Sequence, residues 1–468
     1  MPNFQQTQVG ITIAFKWKKL TTGQGMIFKN KADKLRIFNF SNPEMRVFHM
    51  TWFSFFLCFF GWFGIAPLMM VIKEEFQLTK SQIATIAMGS VAMTIIGRIA
   101  IGWICERFGP RLSYTWLLLL GSIPVMGIGL ANSYESFLIC RLLIGIIGAS
   151  FVITQYHTSI VFAPNCVGTA SATSAGWGNL GGGVAQLVIP VIYGFIFWLT
   201  ADSSNAWRLS MIFPGVLMIF MGIAYFFYTK DCLDGNFKDL KNTAEKESPN
   251  WDIFIEALMD IRVWALCLIY GACFGIELTM YNFLTLYYGE TFQLDLKSAG
   301  LIAALFGIMN IFARTLGGYY GDKMGMRYGL RGRVFLLMIC MAAGGISLII
   351  FSLMNILILS IVMLTVFSIF TKMSAGATYN VVPFINKKAL GPIAGIVGAG
   401  GNAGAVLAAF LFRHEHVSYG NVFCLLGVIF FACSFLCLFI RFSKDEEKEI
   451  HLDMEAYRIK NLTLDKII

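Results

Sequence analysis

The 468 residues are 57% hydrophobic and 13% charged, with a formal net charge of +9. Soluble domains carry about a quarter charged residues, so this balance excludes an ordinary soluble enzyme or binding module. Lys and Arg gather in short loops between apolar runs, which is the pattern of orientation signals, and no nucleic-acid partner is expected.

Residues 1–47 are polar and basic and lack the apolar core of a signal peptide, so the tail is expected to stay in the cytosol. Apolar runs long enough to span a bilayer follow at 48–72, 83–104, 112–131, 136–160, 169–199 and 209–229. A polar segment, 230–261, reads as a solvated linker. A second set runs through 262–288, 299–320, 333–354, 356–383, 391–412 and 420–441, before a charged tail at 442–468. The expected fold is an all-α membrane protein with 12 transmembrane helices in two pseudo-symmetric six-helix bundles, 48–229 and 262–441, set in the lipid bilayer.

Arg107 and Arg111, Lys323, Arg327, Arg331 and Arg333, and Lys387 and Lys388 lie in loops on one side, together with both tails and the central segment. That side is expected to be cytosolic. Asn461-Leu462-Thr463 matches a glycosylation acceptor, but it falls in the cytosolic tail and should stay unmodified. The eleven cysteines show no CxxC or metal spacing, so neither a metal site nor a cofactor is expected.

Two arginines stand inside spans that otherwise lack charge, Arg98 in IATIAMGSVAMTIIGRIAIGWI and Arg314 in AGLIAALFGIMNIFARTLGGYY. A cation at membrane depth costs about 2.5–3.5 kcal/mol on insertion scales and normally faces a cavity or a partner. Arg98, Gly102, Glu106, Gly109 and Arg111 recur as Arg314, Gly318, Asp322, Gly325 and Arg327, each pair 216 residues apart. One offset for five residues, near half the chain, marks an internal duplication. In the loop motif the glycines permit close helix approach, and the carboxylates can cap a neighbouring helix or pair with arginine. A gating role is assigned to Glu106, Arg107, Arg111, Asp322 and Arg327.

A second duplicated element is AGWGNLGGG, with Gly178, Asn179 and Gly181, echoed by GAGGNAG, with Gly401, Asn402 and Gly404. Gly176-x-Gly178-x-x-Gly181 matches a dinucleotide fingerprint in form only, because no strand precedes it. Small-residue packing accounts for the glycines. The two asparagines need polar partners, which either a neighbouring backbone or an oxyanion in the path would provide.

These loop motifs, the two glycine–asparagine segments and the stretch MRVFHMTWFSFFLCFFGWFGIAPLMMVIKEEF resemble the nitrate/nitrite porter family of the major facilitator superfamily, in particular its eukaryotic high-affinity nitrate transporters. The resemblance runs from about residue 45 to 440. It implies the major facilitator fold and a nitrate site between Arg98 and Arg314, with Phe151 stacking on the anion and Tyr270 donating to it. It implies transport of nitrate and nitrite, protons as the coupling ion in eukaryotic members, and nitrate/nitrite exchange in some bacterial ones. The plasma membrane is the family's usual location. Many plant members need a small single-span accessory protein. The short central segment and short C-terminal tail depart from the family and leave that partner open.

The chemistry suits the resemblance. Nitrate is planar, and a guanidinium offers it paired donors that lysine lacks. Glu277, seven residues after Tyr270, falls on the same helical face and is a candidate proton carrier, or else a permanent ion-pair partner. Lys372 is a departure, since the resemblance implies a glutamine at this position in most plant relatives. It could pair with Glu277, add to the anion field, or snorkel towards the cytosol. Arg141 reads as structural, and His157 as a packed hydrogen-bonder rather than a relay. The expectation is a secondary transporter importing nitrate and nitrite with protons. Exchange, another small anion, or a nitrate sensor are the rivals, and no enzymatic residue set is seen.

Overall fold

A computed structural model describes residues 30–240, 251–294, 296–386, 389–412, 418–448, 450 and 452. Lys387, Lys388, Arg413 and the Asn461 acceptor lie outside the described residues, as does most of the N-terminal tail.

The spans form in chain order. They are α1 (Pro43–Leu68), α2 (Lys80–Phe108), α3 (Pro110–Leu130), α4 (Tyr134–Val161), α5 (Val167–Thr200) and α6 (Ser203–Tyr228). Local chemistry sets their starts. Thr79 and Gln82 close a reciprocal capping box ahead of α2, Ser133 and Ser136 do the same for α4, and Asp202 accepts from the first amides of α6. Gly109, at φ 86°, separates α2 from Pro110, whose fixed φ suits the first position of α3.

The second half opens with α7 (Ile261–Phe292). The apolar stretch that follows, Leu301–Ser352, is 52 residues long. At 1.5 Å per residue it would measure about 78 Å, far beyond the ~30 Å hydrocarbon core. It is two passes. Gly329 adopts φ 68° and ψ −160°, and the chain reverses there. Asp322 and Arg333, eleven positions apart, make a 2.7 Å ion pair across the turn. The two limbs are α8 (296–328) and α9 (330–352). Then come α10 (Leu357–Phe384), α11 (Leu390–Leu411) and α12 (Tyr419–Phe439). The described residues thus hold twelve passes.

Two of the passes tighten into a 3-10 turn close to Phe151 and Arg314. α4 narrows to a 3-10 turn at Ile146–Ala149, just before Phe151, and α8 does so at Met309–Ile311, just before Arg314. Such turns leave backbone carbonyls without their helical donors, and side chains of neighbouring helices take them up. Thr94 donates to the Gly145 carbonyl at 2.6 Å, Arg98 to that of Gly148 at 3.3 Å, and Trp177 to that of Ile311 at 3.2 Å.

The halves meet along two glycine-lined seams, α2 against α11 and α5 against α8. A Cβ on Gly102 would strike the Gly391 carbonyl, and one on Gly318 the Gly168 carbonyl. The 216-residue repeat therefore reappears as matching contacts. The signature glycines serve packing too. Gly178 and Gly181 abut Phe55 and the Phe56 backbone of α1, and Gly404 abuts Gly271 of α7.

The central segment corrects the linker reading. Asp231, Cys232 and Phe237 are buried, and Trp251–Met259 is helical. Asp231 accepts from the amides of Arg111 at 2.8 Å and Phe237 at 3.0 Å. Composition marks a segment as polar, but a carboxylate beside the orphan amides at the start of α3 is drawn inward. Burial raises the Asp231 carboxyl pKa from its usual range, while those amides and Arg111 lower it in part.

Candidate functional site

Arg98 and Arg314 converge at the centre of the molecule, exposed by 0% and 1%. Both guanidiniums lie over the same two rings. Arg98 Cζ is 5.0 Å from the Phe151 centroid and 5.3 Å from Phe274, and Arg314 Cζ is 5.6 Å from each. Phe274 stacks on Tyr270 at 5.0 Å, Phe151 stacks on Tyr270 at 5.8 Å, and Tyr379 meets Phe151 edge-on at 4.7 Å. Gly401 makes room for this cluster, since a Cβ there would stand 2.7 Å from the rings of both Tyr270 and Phe274.

The arginines are only partly satisfied. Arg98 donates to the carbonyls of Gly148 and Gly398, which are neutral, and its Nη2 has no partner. Arg314 donates to the Tyr270 hydroxyl at 2.7 Å, while its Nε and Nη1 lack hydrogen-bond partners. Glu277 Oε2 stands 3.7 Å from Arg314 Nη1, and Glu277 Oε1 accepts from Lys372 at 3.1 Å and from Asn310 at 2.9 Å. Glu277 and Lys372 are fully buried, which excludes the snorkelling reading of Lys372. Lys372 Nζ also lies 3.7 Å above the Phe306 ring. Three buried cations therefore share one carboxylate, leaving a formal charge of +2 where an unpaired ion is costly. Aromatic faces offset part of this cost, at about 0.5–2 kcal/mol per cation–ring contact.

Asn179 and Asn402 are both buried, and neither bonds to Arg98 or Arg314. Asn402 donates to the Val91 carbonyl on α2 at 3.4 Å, leaving its Oδ1 unpartnered, and Asn179 Nδ2 has no partner among the described residues. His157 bonds Tyr225 at 2.7 Å and the Lys230 carbonyl at 2.9 Å, a fully used ring. Arg141 donates to the Trp62 carbonyl at 2.9 Å.

The loop motifs sit at the end of the molecule that carries the basic loops. Glu106 accepts from the first amides of α11, at Gly391, at 3.1 Å. Asp322 accepts from the first amides of α5, Gly168 at 3.2 Å and Thr169 at 2.6 Å. Each carboxylate thus meets the positive end of a helix from the other half. Arg111 lies over Phe226, with its Cζ 4.4 Å from the ring centroid. Arg107 and Arg327 are exposed and lie over neighbouring aromatic rings. The buried clasp uses Arg333 instead, which bonds Asp322, Asn380 and the Pro164 carbonyl. Sequence reasoning counted Arg333 only as a loop charge. It also missed Phe274, Asn310, Tyr379 and Asn380. Phe274 lies four residues after Tyr270, a helical spacing that could have flagged it.

Twelve passes around a buried polar centre define an integral, multi-pass membrane protein with the architecture of a transporter. The sequence pattern of the Major Facilitator Superfamily matches residues 51–386. The chain is 37% identical over 413 residues to the high affinity nitrate transporter 2.5 of Arabidopsis thaliana, covering 88% of this chain and 82% of that one. It is 34% identical over 383 residues to nitrate transporter 2.1 of Chlamydomonas reinhardtii, covering 81% and 70%. It is 28% identical over 476 residues to the nitrate/nitrite transporter NrtP of Nostoc punctiforme, covering 86% and 93%. Among solved structures, the proton:xylose symporter XylE shares the fold with a TM-score of 0.67 at 15% identity, covering 87% of this chain and 98% of that one. The chain belongs to the nitrate/nitrite porter family of the major facilitator superfamily.

Proposed function

We propose that this protein imports nitrate, and also nitrite, together with protons, by alternating access around Arg98 and Arg314. Two bundles, 48–229 and 262–441, rock about that centre. Both tails and the segment 230–261 face the cytosol, and the plasma membrane is the site of action. The names of the relatives supply the substrate. The observation that carries the mechanism is the pair of buried guanidiniums, one from each half, with unpartnered donors at Arg98 Nη2 and at Arg314 Nε and Nη1. A planar monovalent oxyanion would complete those donors and lower the excess positive charge. Phe151, Phe274 and Tyr270 support the reading by offering flat faces and a hydroxyl beside the arginines. Asn179 and Asn402 line the path, and Glu277 carries the proton. Glu106, Arg111, Asp322 and Arg333 close the cytosolic end.

Uptake of labelled nitrate into proteoliposomes tests this. Wild-type protein should accumulate nitrate when an inward proton gradient is imposed and stop when it is collapsed, and Arg98→Lys should abolish accumulation. Uptake that ignores the gradient but needs internal nitrite would replace symport with exchange. Absence of nitrate flux in folded protein would refute the substrate.

A further inference from the structure

Glu277 is not where electrostatics alone would put it. Arg314 Nη1 and Glu277 Oε2 are buried, oppositely charged and each without a hydrogen-bond partner, yet they stand 3.7 Å apart. A charge-assisted N–H···O bond closes to about 2.7–2.9 Å, and a dry interior strengthens the attraction. Something holds the pair open. On one side, Lys372 Nζ at 3.1 Å and Asn310 Nδ2 at 2.9 Å both pull on Oε1, the oxygen away from Arg314. On the other, the Tyr270 hydroxyl holds Arg314 Nη2 at 2.7 Å. Asn310 is itself fixed by the Tyr281 hydroxyl at 2.8 Å, and Lys372 by the Phe306 ring. Lys372 comes from α10, 95 positions after Glu277, so this restraint exists only in the folded helix packing.

We propose that Lys372 is a positioning residue that draws Glu277 off Arg314 and so keeps the Nε–Nη1 edge of that guanidinium open to the transported anion. The proposal rests on the anion-binding reading of the arginine pair. Without the ammonium, Glu277 has Arg314 as its remaining cation. It closes onto Nη1 and competes with the anion for the same donors. Lys372 touches no part of the Arg98 donor set, and its contact with the arginine site runs through Glu277.

Titration of purified full-length protein with sodium nitrate, followed calorimetrically, reads the effect. Lys372→Met should weaken nitrate binding at least about tenfold, since the competing bond is a buried ion pair. The double variant Lys372→Met/Glu277→Gln removes the competitor and keeps the formal charge at +2, so its affinity should return to within about threefold of wild type. A merely structural Lys372 would give a double variant that binds no better than the single one, and that result overturns the proposal. So does a Lys372→Met affinity equal to wild type. Lys372→Met also lowers the formal charge of the site from +2 to +1, so Asn310→Ser is titrated beside it in every case: it relaxes the second pull on Oε1 and leaves every charge in place. It should weaken binding in the same direction, and unchanged affinity overturns the proposal. If wild-type protein binds no nitrate at all, the anion-binding reading falls and takes this one with it. Wild-type binding with indifferent variants refutes only the positioning.

Discussion

Asp322→Asn should loosen the clasp between the two halves, at the end that carries the basic loops, without unfolding the protein. Asp322 is 3% exposed and accepts five hydrogen bonds, from the Gly168 and Thr169 amides, the Thr169 hydroxyl, Arg333 and Asn380, at 2.6–3.2 Å. Three of those donors belong to the start of α5, in the other half. Breaking a buried pair outright costs about 3–5 kcal/mol. An asparagine keeps one acceptor oxygen but loses the charge, so the closed arrangement should lose about 2–3 kcal/mol. At about 1.4 kcal/mol per tenfold, opening becomes roughly 30- to 150-fold more frequent. Hydrogen exchange on a peptide covering Val167–Thr173 measures this directly, because the Gly168 and Thr169 amides are the ones held. Their exchange should accelerate by that factor while α12 amides stay unchanged. Acceleration below about threefold would refute the clasp, and equal acceleration throughout the protein would mean global destabilisation instead.

Two further outcomes follow from the site. Gly401→Ala places a Cβ 2.7 Å from the Tyr270 and Phe274 rings and should cut nitrate uptake at least about tenfold, whereas Gly183→Ala, with no atom within 4 Å of its new Cβ, should transport normally. Proteoliposome uptake at matched protein levels distinguishes them. Phe274→Leu removes one of the two rings shared by the arginines and should raise the KM for nitrate at least about fivefold, from about 0.5–2 kcal/mol for each of the two lost cation–ring contacts, and an unchanged KM would exclude a role for that face.

Much of this molecule is determined by its sequence alone. Apolar run length specifies the passes, because a bilayer admits only helices of about that length with their backbone bonds satisfied internally. The common offset of Arg98 and Arg314 marks two equivalent charges, since duplicated halves carry duplicated residues. The shared face of Tyr270 and Glu277 follows from helical period, and both reach Arg314. The partners across helices are another matter. Periodicity names a face but not the neighbour it meets. Lys372 finds Glu277, and Asn310 joins them, only because α10 and α8 pack beside α7. Arg333 turns from a loop charge into the centre of the clasp because Gly329 reverses the chain and brings it back onto Asp322. Asp231 leaves the solvent because the start of α3 presents amides with no helical acceptor. Which charges lie at membrane depth is thus a local property of the chain, whereas which of them remain unanswered is decided by packing.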